Sequence, residues 1–220
     1  RRDPTCASFE VFPAHVYVSE ATFALPVFRH PDDAGEIAKL LTSVRQNPDR
    51  AHLVGAYALG KAQRVICLLR EAGYDAPIYI HGAMEQLCAL YEDHGVSLGP
   101  LEKATVKDAS GAKQDFAGQI VIAPPSSFQT AWARRFPDPV ICFASGWMQV
   151  RARARQRGVE LPLILSDHAD WDELTQPIRD VNPDEVWITH GRDDALARWA
   201  ELEGYKARPL SLVGYEDEDD

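Results

Sequence analysis

The chain has 220 residues, of which 45% are apolar and 25% are charged, a composition that excludes global disorder and fits one large domain or two smaller ones. The formal net charge is −10, and the acidic run at 216–220 supplies half of it, so the body of the chain is only mildly acidic. This balance argues against a protein that coats nucleic acid through bulk charge. A membrane span is also excluded, because no window approaches 18 consecutive apolar residues.

Short apolar, β-branched runs alternate along the chain with segments of helical periodicity. The predicted strands are 15–19, 52–56, 78–81, 119–123, 140–143, 163–166 and 185–189. The predicted helices are 32–46, 60–72 and 83–93, followed by four that begin near Phe128, Met148, Trp171 and Asp193. This alternation favours an α/β fold with a mainly parallel sheet that helices cover on both faces. The stretch 99–118 has no consistent period and predicts a loop or an irregular hairpin.

The four cysteines are scattered and form no CxxC pattern, which predicts buried thiols of a cytoplasmic protein rather than a disulfide or metal framework. The chain opens Arg1-Arg2-Asp3-Pro4, without an initiating Met or the apolar core of a signal peptide. We therefore expect a fragment or a processed chain.

Ionisable residues stand at the ends of three predicted strands, namely Glu20, His168 and His190. Ligands of open α/β sheets collect at the carboxyl ends of the strands, and a buried ionisable group there needs a partner or a metal. A single strand-end histidine is more often part of a structural hydrogen bond. The pair His81-Gly82 repeats the pattern of His190-Gly191, so the dipeptide alone has little specificity.

Taken together and in this order, the three residues resemble the β-CASP nucleases of the metallo-β-lactamase superfamily. The bacterial DNA-ligase-associated exonucleases, also described as mRNA 3′-end processing factor-like, are the most similar group. The phrases that carry the resemblance are Arg2-Asp3-Pro4-Thr5-Cys6, Ser19-Glu20-Ala21-Thr22-Phe23, 57–63, 144–148, Leu165-Ser166-Asp167-His168-Ala169-Asp170-Trp171 and Ile188-Thr189-His190-Gly191. The resemblance extends over the whole chain except its acidic tail.

The resemblance implies a role for each of these residues. Glu20 matches the acidic residue of motif A, and His168 matches the motif B histidine, a candidate general acid beside the scissile phosphate. His190 matches the motif C histidine, which ligates one of two zinc ions in the family. Asp167 and Asp170 flank His168 and are candidates to orient its ring, although a cap and a turn residue would look the same in sequence.

The main metal motif of the superfamily, HxHxDH, is absent from this sequence. The resemblance therefore implies the carboxyl-terminal part of a longer protein, one that binds two zinc ions, and residues 1–220 alone are expected not to cleave DNA. The implied architecture is the carboxyl part of a metallo-β-lactamase fold with an inserted β-CASP α/β cap. The first portion of that fold ends at residues 1–22, the cap covers 23–160, the second portion covers 161–212, and 213–220 is the tail.

Candidate phosphate contacts lie mainly in the predicted cap. Backbone N–H groups, hydroxyls and basic side chains all bind phosphate, and any of them can equally be structural. The candidates are Lys61, Ser126, Ser127, Ser145, Gly146 and Arg151. Arginines 134, 135, 151, 153, 155 and 157 concentrate positive charge in this region, which is also the pattern of a solvated helix face.

The resemblance implies a zinc-dependent nuclease that acts on DNA rather than RNA, works as an exonuclease in DNA repair, and has an ATP-dependent DNA ligase and a helicase as partners. Two alternatives stay open: an RNA 3′-end processing nuclease, and a non-catalytic nucleic-acid-binding partner. A nucleotide-binding module is disfavoured because no GxGxxG or GxxxxGK[ST] occurs. A serine hydrolase is disfavoured because no GxSxG occurs.

Overall fold

The computed structural model describes residues 2–107 and 111–210, and in it the chain divides into two compact units. Among the described residues, the terminal unit contains Ser8–Arg29 and 168–210, and the central unit contains Asp3–Ala7, 30–107 and 111–167. The two units divide at 29/30 and 167/168, besides the short segment Asp3–Ala7, and the boundaries at 22/23 and 160/161 stay predictions. That these units are a metallo-β-lactamase portion and a β-CASP cap stays a prediction.

The terminal unit is a three-stranded parallel sheet with two helices. Its strands are β1 (Val16–Ala21), β8 (Glu185–Gly191) and β9 (Lys206–Pro209), in the order β1-β8-β9. Its helices are α5 (Trp171–Val181) and α6 (Asp193–Leu202). The helices pack their apolar stripes against one face of the sheet, where Val186 and Ile188 are fully buried, as expected for amphipathic helices on a half-covered sheet.

The central unit is a six-stranded sheet in which every pair of neighbouring strands is parallel. Its strands are β2 (His52–Gly55), β3 (Ile78–Ile80), β4 (Leu101–Lys103), β5 (Ile120–Ala123), β6 (Val140–Ala144) and β7 (Leu161–Leu163), in the order β4-β3-β5-β2-β6-β7. Its helices are α1 (Asp33–Gln46), α2 (Lys61–Glu71), α3 (Glu85–Asp93) and α4 (Arg151–Gln156). Strands β2 and β5 are buried along their whole length, and His52 is their only polar side chain, as expected for central strands of a parallel sheet.

The parallel topology places the carboxyl ends of all six central strands at one edge of the sheet. Two of the connections that start there are short 3₁₀ helices, Pro125–Gln129 after β5 and Gly146–Gln149 after β6. We refer to this edge and its connections as the central carboxyl edge. Five of the six candidate phosphate contacts lie in these connections or in α4, namely Ser126, Ser127, Ser145, Gly146 and Arg151. The sixth, Lys61, begins α2.

The α/β fold with parallel sheets is confirmed. Two strands were not predicted: β4, which lies in the stretch expected to be a loop or hairpin, and β9. Strand β7 covers 161–163 rather than 163–166. Of the cysteines, Cys67, Cys88 and Cys142 are buried as expected. Cys6 is exposed, so the expectation of a buried thiol was wrong for Cys6, which lies before the first strand. No helix within the described ranges is both long enough and apolar enough to span a bilayer.

Candidate active site in the terminal unit

Glu20 lies near the end of β1, and its carboxylate accepts a hydrogen bond from the backbone two residues later. The backbone N–H of Thr22 donates to Glu20 Oε2 at 2.6 Å, while Oε1 is buried and has no hydrogen-bond partner among the described residues. Burial by itself raises the pKa of Glu20, but the neighbouring His168 imidazole and the Thr22 hydrogen bonds outweigh it and lower the pKa below its ordinary value. Glu20 is therefore an anion with one acceptor oxygen still available.

A β-bulge in β8 positions His190 opposite Glu20. Ser19 pairs with Ile188 and Ala21 pairs with Gly191, so one residue of β1 faces two residues of β8, as in a bulge that redirects a side chain. His190 adopts the left-handed conformation with φ 61° and Gly191 has φ 97°. A Cβ on Gly191 would lie 2.5 Å from the Ala21 carbonyl oxygen, so this close approach requires glycine.

His168 lies just before α5 and contacts both Glu20 and Thr22. Its Nδ1 is 3.6 Å from Glu20 Oε2 and 3.3 Å from Thr22 Oγ1. The imidazole packs edge-on to Phe23 with 6.3 Å between ring centroids, and its side chain is 50% exposed. The ring is thus fixed on one side by a carboxylate and a buried aromatic residue and faces solvent on the other.

The two imidazoles face each other. The ring centroids of His168 and His190 are 6.5 Å apart and the ring planes differ by only 15°. The structure therefore brings together the three residues that the sequence singled out, Glu20, His168 and His190, from segments up to 170 positions apart. Their chemical roles stay predictions.

The described residues do not supply a zinc centre. No group of three or more histidine, cysteine, aspartate or glutamate side chains within 2–107 and 111–210 is arranged to hold a metal ion. Structural and catalytic zinc sites use three or four such ligands, so His190, the one predicted ligand, does not make up the two-zinc set by itself.

This chain is similar to parts of longer proteins. It is 28% identical over 201 residues to a protein named "Probable DNA ligase" from Opitutus terrae, a match that covers 85% of this chain and 19% of that protein. It is similar, with a TM-score of 0.52 and 13% identity, to a crystal structure of a protein of unknown function from Enterococcus faecalis V583, covering 92% of this chain and 51% of that one. No family model matches the chain. The structural likeness concerns the fold, and the chain spans about a fifth of the ligase-named relative.

Asp170 has a structural function that explains its position. Its side chain accepts from Glu173 N at 3.1 Å, and the Glu173 carboxylate accepts from Asp170 N at 3.1 Å, a reciprocal capping box that starts α5. Asp170 is also buried. The cap fixes the entry of the chain into α5 and thereby the backbone two residues earlier, at His168. Any orienting contact between Asp170 and the His168 ring stays a prediction.

Asp167 pairs with two buried cations of the central unit. Lys61 Nζ lies 3.0 Å from Asp167 Oδ1 and donates to the Leu165 carbonyl at 2.8 Å. Arg64, whose side chain is only 1% exposed, bonds Asp33 at 2.7 Å, Asp167 at 3.4 Å and the Ser166 carbonyl. Burial lowers the pKa of Lys61 despite the opposing Asp167 charge. A phosphate contact at Lys61 would require this ion pair to break.

The remaining candidate phosphate contacts differ in accessibility. Ser127 is buried and donates to the Pro124 carbonyl at 2.7 Å, and Gly146 is also buried. Ser145 caps the following 3₁₀ helix by accepting from Trp147 N at 3.3 Å. Ser126 and Arg151 are exposed. Ser145 is partly buried. Phosphate binding by any of these residues stays a prediction.

Sequence reasoning assigned no role to Thr22 and Phe23, although both contact the site. Thr22 bonds Glu20 through its N–H and approaches His168 through its hydroxyl. Phe23, which is 2% exposed, packs on His168 and on Phe28 at 5.2 Å. The signal for Thr22 was its position two residues after an acid, the spacing of a side-chain-to-backbone turn. No local signal marks Phe23.

Proposed function

We propose that this chain is part of an enzyme that hydrolyses phosphodiester bonds in DNA, and that His168 is its general acid. The observation that carries the proposal is the convergence of Glu20, His168 and His190 at one bulge. An imidazole that is half exposed, held on one side by a carboxylate and an aromatic ring, has the geometry of a proton donor rather than of a buried structural histidine.

The chemistry of the proposal follows from the ring nitrogens of His168. Its Nδ1 faces Glu20 Oε2 and Thr22 Oγ1, so a proton on Nδ1 is held by acceptor oxygens and Nε2 becomes the nitrogen that delivers a proton to the leaving oxygen. The Glu20 carboxylate stabilises the imidazolium form. General acid catalysis of this kind contributes about 10²–10⁴-fold in rate.

Supporting observations favour DNA as the substrate. The chain is similar to a stretch of a protein named "Probable DNA ligase", which supports a role in DNA processing and a DNA ligase as a functional partner. The exonuclease mode, the helicase partner and the two zinc ions are implied by the resemblance to β-CASP nucleases alone. In that proposal His190 is a metal ligand, and the other ligands are not among the described residues.

The experiment compares His168→Ala with wild type in the longest natural polypeptide that contains residues 1–220. On a fluorescently labelled DNA oligonucleotide we expect kcat to fall about 10²–10⁴-fold with no change in Tm. The matched control is His15→Ala, because His15 Nδ1 also contacts a carboxylate, Asp184 Oδ2 at 2.8 Å, at the opposite ends of the same two strands. This control should keep wild-type activity.

A second substrate identifies the role of His168. Thymidine 5′-(p-nitrophenyl phosphate) has a leaving group that departs without a proton, so His168→Ala should cleave it within about tenfold of the wild-type rate. Equal losses on both substrates would contradict general acid catalysis, and a wild-type polypeptide that cleaves neither would overturn the proposed function.

A further inference from the structure

The Thr22 hydroxyl contacts both the carboxylate and the imidazole of the candidate active site. Its Oγ1 is 3.3 Å from His168 Nδ1, whereas Glu20 Oε2 is 3.6 Å from the same nitrogen, a distance too long for a hydrogen bond. The Thr22 side chain also hydrogen-bonds to Glu20 and thereby helps to lower the pKa of that carboxyl. A hydroxyl has one proton to donate and lone pairs that accept, so Thr22 can accept from Nδ1–H while it donates to the carboxylate.

The turn that carries Thr22 is anchored on both sides. The Ala21 carbonyl accepts from Ala24 N at 3.3 Å and from Arg192 N at 3.0 Å, so the turn is closed on itself and tied to the residue that follows β8. Phe23, the next residue of the turn, is 2% exposed and packs on the imidazole. With its backbone held at these points, the partly buried Thr22 side chain has little freedom to move away from the ring.

The step proposed for His168 requires a proton that stays on Nδ1. Water attacks the phosphorus, the bond to the leaving oxygen breaks, and the imidazolium gives its Nε2 proton to that oxygen. The ring is then neutral and keeps its other proton on Nδ1. The hydrogen bond that one imidazole nitrogen makes determines which nitrogen carries the proton. An acceptor at Nδ1 therefore makes Nε2 the donor and stabilises the neutral ring that the step leaves behind.

We propose that Thr22 is a positioning residue for this reaction, whose hydroxyl fixes both the Nδ1–H form and the orientation of the His168 ring. The inference rests on the proposed function and deepens it, because it names the group that makes His168 a directional proton donor. Glu20 then acts on the imidazole partly through the Thr22 hydroxyl. Since Thr22 acts through His168 rather than on the substrate, its loss should change kcat and not KM.

Thr22→Val removes the hydroxyl at nearly constant volume and keeps the backbone N–H that holds Glu20. In the longest natural polypeptide that contains residues 1–220, we expect kcat on the DNA oligonucleotide to fall about tenfold, the effect of one lost hydrogen bond to a charged group. Cleavage of thymidine 5′-(p-nitrophenyl phosphate), whose leaving group needs no proton, should stay within about twofold of wild type. Thr22→Ser restores the hydroxyl and should recover kcat to within about threefold of wild type.

Thr175→Val is the matched control in the same unit. Thr175 is 3% exposed, and its hydroxyl donates to the Trp171 carbonyl at 3.0 Å within α5. The substitution is the same, so we expect wild-type kcat on both substrates. Equal losses for Thr22→Val and Thr175→Val, equal losses of Thr22→Val on the two substrates, or a Thr22→Ser variant no better than Thr22→Val would overturn the inference.

The position of the proton can be measured without catalysis. In the polypeptide labelled with ¹⁵N-histidine, long-range ¹H–¹⁵N spectra distinguish the two neutral tautomers, and the His168 signals are those absent from His168→Ala. We expect wild-type His168 to carry its proton on Nδ1 and Thr22→Val to shift the ring toward the Nε2–H form. A wild-type ring protonated on Nε2 would overturn the inference before any Thr22 variant is made.

These results separate the inference from the proposed function. A polypeptide that cleaves neither substrate, but whose Nδ1–H form is lost in Thr22→Val, would overturn the proposed function and leave Thr22 as the residue that fixes the ring. Cleavage that depends on His168 but not on Thr22, with the tautomer unchanged in Thr22→Val, would do the reverse.

Discussion

Asp167 and His168 are consecutive in the chain but belong to two clusters of charged side chains that differ in the burial of their cationic members. Asp167 pairs with Lys61 and Arg64, whose side chains are 6% and 1% exposed, in a network where each charge faces an opposite charge. The next residue, His168, is 50% exposed and faces Glu20, whose buried Oε1 has no partner in the described part of the chain. Buried, compensated cations stabilise a fold, whereas an accessible imidazole beside a carboxylate is suited to chemistry.

The largest expected effect comes from breaking the buried network. Arg64→Leu leaves the carboxylates of Asp33 and Asp167 without their guanidinium partner, and we expect the free energy of unfolding to fall by about 3–5 kcal/mol. Urea denaturation followed by circular dichroism measures this loss.

The control for this prediction is Arg179→Leu, which removes an exposed pair with Glu203 at 3.2 Å and should cost about 0–1 kcal/mol. If the two variants lost the same stability, the Arg64 network would be no more than another surface ion pair.

An intermediate effect is expected at the bulge that positions His190. Gly191→Ala combines a positive φ of 97° with a Cβ 2.5 Å from the Ala21 carbonyl oxygen, and we expect a loss of about 2–4 kcal/mol. Gly204 has the same φ of 97° but nothing within 4 Å of the added Cβ, so Gly204→Ala should lose only about 1 kcal/mol.

Thermal denaturation of both glycine variants separates the cost of the backbone conformation from that of the close approach. Equal shifts in Tm would mean that β8 moves freely away from β1, and the bulge would then not fix the position of His190.

The smallest expected effect is the pH dependence due to Glu20. The pKa of this carboxyl is lower in the folded protein than its ordinary value of 4.5, so between the two values the unfolded chain binds more protons. The stabilising contribution is therefore complete above about pH 4.5 and is lost as the pH falls through the folded-state pKa. Glu20→Gln should show a shallower loss of stability below pH 4.5 than wild type in urea titrations. Parallel profiles would refute this.

Much of the fold was predictable because the central strands are buried on both faces. Strands β5 and β6 are continuous apolar runs, and β2 is apolar after its first residue, His52. Helix α5 carries both its cap and its C-terminal left-handed Asn182 in the sequence. Strands β4 and β9 were missed because both lie at sheet edges, where partly exposed residues such as Glu102 and Lys206 give no apolar pattern.

The site was predictable in its members and unpredictable in its geometry. Strand-end positions and the family resemblance singled out Glu20, His168 and His190. A bulge depends on the pairing of two distant strands, which a local pattern does not record, so the left-handed His190 and the contact of Thr22 with His168 emerged only in three dimensions. The burial of Lys61 was missed for the same reason, since its partners come from 104 and 106 positions later.

The pairing of β1 with β8 has a consequence for synthesis on the ribosome. Ala21 ends β1 and Glu185 begins β8, so the first strand leaves the exit tunnel long before its neighbour. At about 5–20 residues per second the wait is roughly 10–30 seconds. During that interval an apolar strand with Val16 and Val18 has an unsatisfied edge, while the intervening segment already contains all six strands of its own sheet. The candidate active-site residues Glu20 and His190 therefore come together only after the intervening six-stranded sheet has had time to fold.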